Sequence, residues 1–278
     1  MAGRRPVGVP DGGAGRVLWR RRQRRARGRG AFIAERRHGF DMPTTVRAGA
    51  DHVTGISPTY DGAMADSLAA LRALVRDHGT RAVVSDLDGV LRRFDPSLWA
   101  QLDAATGTPQ GTAFTAILGH PFLDEVVRGR GTHRQWRERA VSELIAAGSA
   151  PRAARDAIAT WWGSSATVDQ EVLAELERLR ASGLGVFVLT NGTDQVPEEL
   201  EELGLSGFLG TRRRFLLNTA DLGAAKPDRE AFVRAHARIE AELGEELLAE
   251  QVAFLDDSPR HVRGATSFGW RALLHTAG

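Results

Sequence analysis

Three short apolar runs constrain this chain more than any other feature. Ala82-Val83-Val84 leads into Ser85-Asp86, Leu184 to Leu189 closes on Thr190-Asn191-Gly192, and Val252 to Leu255 closes on Asp256-Asp257. Runs of this length without polar alternation read as strands covered on both faces. Each delivers a polar residue at its carboxyl end. Leu68, Leu71, Leu74 and Val75 recur at helical intervals, marking a helix that opens at Met64 and ends near Gly79. Further helices are expected at Glu171–Ala181 and Pro227–Leu243, with Pro227 suited to a first helical position. Strands alternating with helices imply an α/β fold with a parallel sheet, whose ligands sit in the crevice beyond the strand ends.

Residues 95–170, between the first two strands, carry helical patterns around Ser97–Ala104, Thr112–Leu118, Pro121–Arg128, Thr132–Ala147 and Pro151–Trp162, and no convincing strand. An all-helical insertion here makes a second small domain over the crevice. Phe114, Phe122 and Trp136 are expected in its core, and the Trp161-Trp162 pair between its helices. The expected boundaries are a tail over 1–62, an α/β core over 63–95 and 168–278, and the helical insertion over 96–167.

Charge separates the tail from the body. Residues 1–50 hold 13 arginines against Asp11, Glu35 and Asp41, a net +10, whereas 51–278 hold 24 basic and 32 acidic residues, a net −8. The basic segment has clustered glycines and no sustained apolar period, so it is expected to be mostly disordered. It reads as a solvated tail or as upstream sequence; its alternative is an arm for nucleic acid, which is expected as a partner only through residues 1–50. Val17-Leu18-Trp19 is too short for a secretory core. Although an organelle presequence is also Arg-rich, a cytoplasmic location is the expectation. No apolar run approaches the length of a membrane helix, so no membrane partner is expected. With no cysteine in the chain, thiolate ligands and thiol nucleophiles are excluded.

The chemistry lies at the strand ends. In Asp86-Leu87-Asp88-Gly89-Val90-Leu91 two carboxylates stand two residues apart, and in an extended chain both project to one side. Gly89 lets the chain turn tightly. Asp256-Asp257 brings two more acids to the same edge. Like charges this close repel by about 4 kcal/mol per pair at an effective dielectric of about 20, so a cation must compensate. With no cysteine and no clustered histidine the ligands are oxygens, and Mg²⁺ is the natural ion. His120, His133 and His261 share no ligand spacing and are read as non-ligands. Lys226, the single lysine of the chain, supplies a compact ammonium. Thr190, Asn191 and the amides around Gly192 offer neutral donors to an oxyanion. Together these groups describe a phosphate pocket beside a metal. Arg92-Arg93 reads as structural, with contact to an anionic substrate as its alternative, and Arg212-Arg213-Arg214 as a solvated stretch after Gly210.

The order Asp86-Leu87-Asp88-Gly89-Val90-Leu91, Leu189-Thr190-Asn191, Lys226-Pro227-Asp228 and Phe254-Leu255-Asp256-Asp257-Ser258 resembles the four motifs of the haloacid dehalogenase-like (HAD) superfamily. The resemblance spans about residue 80 to 275 and includes Leu217 to Pro227. It implies a Rossmann-like core of the subfamily whose helical cap follows the first motif. It further implies Asp86 as nucleophile, Asp88 as acid/base, Thr190 as phosphate ligand, Lys226 as charge stabiliser and Asp256 as metal ligand. Mg²⁺ is then held by Asp86, the Asp88 carbonyl and Asp256, with Asp257 orienting Lys226 or a metal-bound water. His261 stands where many relatives carry asparagine. The reaction implied is Mg²⁺-dependent hydrolysis of a small-molecule phosphate ester through an aspartyl-phosphate. Its alternatives are a phosphomutase and a 2-haloacid dehalogenase; the latter enzymes lack the second aspartate of the first motif, since a halide leaves without a proton. Nothing in residues 95–170 selects the ester.

Overall fold

The computed structural model describes residues 67–276. The basic tail expected over 1–62 and the helix start expected at Met64 lie outside the described residues. The chain enters through helix α1 (Ser67–Asp77) and strand β1 (Ala82–Ser85), then turns through the two-residue strand β2 (Arg92–Arg93). Helices α2 (Leu98–Thr106), α3 (Thr112–Ile117), α4 (Phe122–Val126), α5 (His133–Ala146) and α6 (Pro151–Trp162) follow, and β3 (Thr167–Val168) leads back. Next come α7 (Gln170–Ala181), β4 (Gly185–Thr190), α8 (Val196–Glu202), α9 (Ser206–Leu209), β5 (Leu216–Asn218) and α10 (Thr219–Leu222). The described chain ends with α11 (Arg229–Leu243), β6 (Val252–Asp256), α12 (Pro259–Phe268) and β7 (Arg271–Leu274). None of the described helices is long and apolar enough to cross a membrane.

Five strands form one parallel sheet in the order β5-β4-β1-β6-β7. This is the Rossmann-like α/β core expected. The chain builds outward from β1 through β4 to one edge, then restarts at β6 toward the other, so the order reverses beside β1. That reversal opens a crevice at the carboxyl ends, where Asp86 and Asp256 emerge side by side.

The period of two along each strand divides the core between the faces. Val83, Val186, Val188, Ala253 and Leu255 pack with Leu68 and Leu71 of α1 and Leu176 of α7. Val84, Phe187, Leu189 and Phe254 pack with Phe232, Ala235 and Ile239 of α11. Because both faces are covered, these strands appear in the sequence as unbroken apolar runs. The edge strand β7 is only partly buried, and β5 has three residues, so neither carries that signal. The expectation of no strand next to the helical insertion also needs correction: β2 pairs antiparallel with β3. Two arginines form β2 and make no apolar run.

Helices α2 to α6 enclose a core of their own, including Leu102, Ile117, Leu144, Ile158 and Trp136. The Trp136 indole donates to the Ile117 carbonyl at 2.9 Å, and Trp161 packs edge-on against Trp136. The helix start α3, without a side-chain cap of its own, is tied down by Asp103, whose carboxylate accepts from Gly111 N at 2.6 Å and Ala113 N at 2.7 Å. The segment touches the sheet's carboxyl edge at several places, with Ala225 packed into its core. Arg128 meets Asp228 at 2.6 Å, and the backbone N–H of His133 donates to Asp194 at 2.6 Å.

Phe254 lies at the centre of this arrangement, fully buried and edge-on to Phe232. Phe254→Ala is expected to cost about 3–5 kcal/mol. Leu248→Ala, at a side chain 63% exposed, should stay within about 0.5 kcal/mol. Urea unfolding of both variants measures the contrast.

Candidate active site

The sheet brings three residues from distant parts of the chain to one point. Asp86 follows β1, Asp256 ends β6, and Lys226 lies in the loop between α10 and α11. Lys226 Nζ lies 2.8 Å from Asp86 Oδ1 and 2.7 Å from Asp256 Oδ2, and donates to the Leu189 carbonyl at 3.0 Å. Side-chain exposure is 0% for Lys226, 0% for Asp256 and 8% for Asp86. Asn191 fixes the lysine backbone, its amide donating to Lys226 O at 2.9 Å and its carbonyl accepting from Lys226 N at 2.8 Å. Helix α11 begins at Arg229 with Asp228 as its N-cap, so Pro227 precedes the helix and does not open it.

The electrostatics follow from burial and count. Burial and then the charge of Asp256 push the Asp86 carboxyl well above its ordinary value, against the pull of Lys226. At Asp256 burial works the same way, but Lys226 and His261 outweigh it and hold that carboxyl below its ordinary range. Lys226 is lifted despite its burial, because Asp256 and Asp86 both favour the ammonium.

Asp257 reaches the cluster from the other side. A Cβ on Gly89 would stand 1.9 Å from Asp257 Oδ2, and Gly89 has φ +81. Glycine is therefore required twice at this position, for the left-handed turn and for the carboxylate against it. Loss of water, then Asp256, and also Asp88 push the Asp257 carboxyl up to about 6, even though the residue as a whole remains exposed.

Asp88 departs from the expected geometry. Strand β1 ends at Ser85, and Leu91 N and Arg92 N both donate to the Leu87 carbonyl, at 2.9 and 2.7 Å, closing a loop. The extended alternation that would aim Asp86 and Asp88 at one ligand is thereby lost. Asp88 instead makes a two-point pair with Arg92, with Oδ1 2.5 Å from Nε and Oδ2 3.0 Å from Nη2, and its side chain stays 48% exposed. Buried Arg92 also binds Glu199 of α8 at 2.5 Å. Arg93 pairs with Asp169 at 2.6 Å. Both arginines thus serve carboxylates of the chain, and the alternative that they meet an anionic substrate is not supported.

Thr190 is buried at the end of β4. Gly192 is hemmed in, since a Cβ there would meet Asn218 Oδ1 at 2.5 Å and Val196 at 2.6 Å. His261, expected to be a non-ligand, lies with the cluster. Its Nδ1 lies 3.1 and 3.2 Å from the Asp256 oxygens, and Asp86, Asp256 and His261 can offer ligand atoms within 4.8 Å of one another. Five residues past Asp256, the first turn of α12 returns the imidazole to the strand end. Glu199 and His133 gave no local signal. The His133 ring is buried against Trp162, with Nδ1 3.2 Å from Thr193 Oγ1. Burial and then Arg137 lower its pKa to about 4, so the ring is neutral.

The family model for haloacid dehalogenase-like hydrolases matches residues 80–269. The chain belongs to the haloacid dehalogenase-like hydrolase family. No curated protein matches the sequence. A HAD family enzyme from Bacteroides thetaiotaomicron is 17% identical, with a TM-score of 0.53 over 72% of this chain and 95% of that one. The same enzyme in complex with magnesium and inorganic phosphate gives 19% identity and a TM-score of 0.52, over 72% of this chain and 96% of that one. A dehalogenase of known structure is 20% identical with a TM-score of 0.50, over 70% of this chain and 84% of that one. These likenesses bear on the fold of this HAD-like hydrolase.

The raised Asp257 carboxyl sets a pH dependence. Its folded value of about 6 exceeds the ordinary 3.8, so the group favours folding below 3.8 and loses that advantage as pH rises through 6. In metal-free buffer Asp257→Asn should therefore melt a few degrees above the parent at pH 7–8 and level with it near pH 3.5, as followed by calorimetry.

Proposed function

We propose that this HAD-like hydrolase is a phosphatase that hydrolyses a small-molecule phosphate ester through an aspartyl-phosphate on Asp86. In this reading residues 96–167 form a cap over the core segments 63–95 and 168–278. The observation that carries the choice is Asp88: a second carboxylate follows the first by two residues and keeps about half of its side chain, 48%, exposed. Ester cleavage must protonate an alkoxide, and a halide needs no proton.

The donor set fits Mg²⁺. Oxygens dominate it, and burial first, then the neighbouring Asp256, raises the carboxyls of Asp86 and Asp257, both of which a bound cation would favour in ionised form. Asp86, the Asp88 carbonyl and Asp256 would hold the ion, with Asp257 beside them. Bound there, it would screen the approach of one anion to another and offset charge on the phosphoryl oxygens. That the Bacteroides enzyme of similar fold was solved with magnesium and inorganic phosphate supports this assignment.

Asp86 attacks phosphorus in line with the ester oxygen; the new O–P bond forms as the ester P–O bond breaks. Asp88 gives its proton to the departing alkoxide. As a carboxylate it then takes a proton from water, whose oxygen attacks the acyl phosphate and frees Asp86. Asp88 must leave the Arg92 pair to do this. Lys226 orients Asp86 and pulls toward its ionised form, while Thr190 and the amides beyond it, over Asn191 and Gly192, receive the phosphoryl oxygens.

The expected outcome is Mg²⁺-dependent phosphate release from p-nitrophenyl phosphate and from members of a phosphomonoester panel. Release should vanish in Asp86→Asn, and kcat should fall by about 10²–10⁴-fold in Asp88→Asn. Chloride release from 2-chloropropionate without any phosphatase activity would replace this reading with the dehalogenase one.

A further inference from the structure

Outside the acidic crevice, the arginine stretch after Gly210 has features that solvation alone does not explain. Arg212 and Arg213 adopt left-handed φ values of 57 and 54, the two non-glycine residues of the described chain to do so. Side chains crowd their own backbone in that region, and arginine has no local polar group to offset the cost. Arg214 pairs with Glu242 of α11 at 3.3 Å. Arg212, Arg213 and Arg238 of α11, by contrast, have no carboxylate within 4 Å among the described residues. All three guanidinium groups border one feature, in a body of net charge −8.

That feature is a cleft of about 360 Å³ on the β5 side of the sheet, lined by all three arginines against one acid, Asp221. Leu217 and Leu222 give it an apolar floor. Asn218 also lines it; the side chain is buried, its amide donates to the Thr193 carbonyl at 2.9 Å, and its Oδ1 lies against Gly192. A volume of this order suits a small molecule, and guanidinium forks match the oxygens of a phosphoryl or phosphonyl group.

We propose that this cleft is a second anion site, distinct from the acidic crevice, which takes a small organic phosphate or phosphonate dianion with an apolar body. The guanidinium groups bind the dianion, and the body rests on Leu217 and Leu222. Asn218 is the register partner of Thr190 across β5 and β4, so the bound molecule lies one strand from the loop after Thr190.

Titration calorimetry of the full chain in EDTA tests this, with phenylphosphonate as probe because it has no ester to hydrolyse. EDTA removes the divalent ion that the proposed phosphate pocket of the crevice would need. The parent protein should bind one equivalent saturably, and benzoate, a monoanion on the same ring, should bind more weakly. Arg212→Gly with Arg213→Gly removes two guanidinium groups while easing the left-handed backbone. Binding should then weaken by about tenfold or more with no loss of melting temperature. Arg238→Gln, on a regular helix, should weaken binding similarly and decides the matter alone if the glycine variant melts lower. Absence of saturable binding, binding unmoved by Arg238→Gln, or benzoate binding as tightly as phenylphosphonate would overturn the proposal.

Discussion

A buried ammonium between two buried carboxylates governs the structure of this protein. Lys226 contacts Asp86 and Asp256 within 2.8 Å, and neither Lys226 nor Asp256 exposes any side-chain surface. Charges withdrawn from water in this way are tolerated only when paired and hydrogen-bonded, and removing one partner typically costs about 3–5 kcal/mol. The sheet makes the pairing possible by placing β1 and β6 as neighbours with their ends in register. The loop carrying Lys226 is held in turn by the paired hydrogen bonds of Asn191. Fold and site are thus one construction, because the strand order sets which acids meet and the lysine sets how close they come.

Around that centre the remaining charges divide into two groups. Asp257 lies against Gly89, its carboxyl raised by burial and by the nearby Asp256 and Asp88. Asp88 belongs to a separate network, tied by Arg92 to Glu199 on α8. Arg92 lies in β2, the strand that pairs with β3 where the helical segment joins the sheet. The carboxylate proposed to move protons is therefore anchored to the joint between the two parts, whereas the carboxylate proposed to attack is anchored to the sheet.

Much of this was legible in the sequence, for a physical reason. Strands β1, β4 and β6 are covered on both faces, so burial wrote itself as unbroken apolar runs, and the polar residues that ended them had to emerge at one edge. The helices of the insertion were equally readable from their periodicity. What stayed hidden depends on partners far along the chain. Edge strand β7 is half-exposed and β2 is a pair of arginines, so neither has an apolar signature. The turn of Asp88 toward Arg92 depends on where β1 stops, and the approach of His261 to Asp256 depends on the first turn of α12. Spacing shows that such residues are near one another; it does not show which of them pair.

In the proposed reaction the Lys226-bound Asp86 carboxylate attacks phosphorus. Acid quenching of a single turnover with a phosphomonoester and Mg²⁺, followed by peptide mass spectrometry, tests it directly. The account predicts a transient acyl phosphate on the peptide carrying Asp86, absent when Asp86 is replaced by asparagine. Turnover with no phosphorylated peptide, or with the phosphoryl group on another residue, would contradict it.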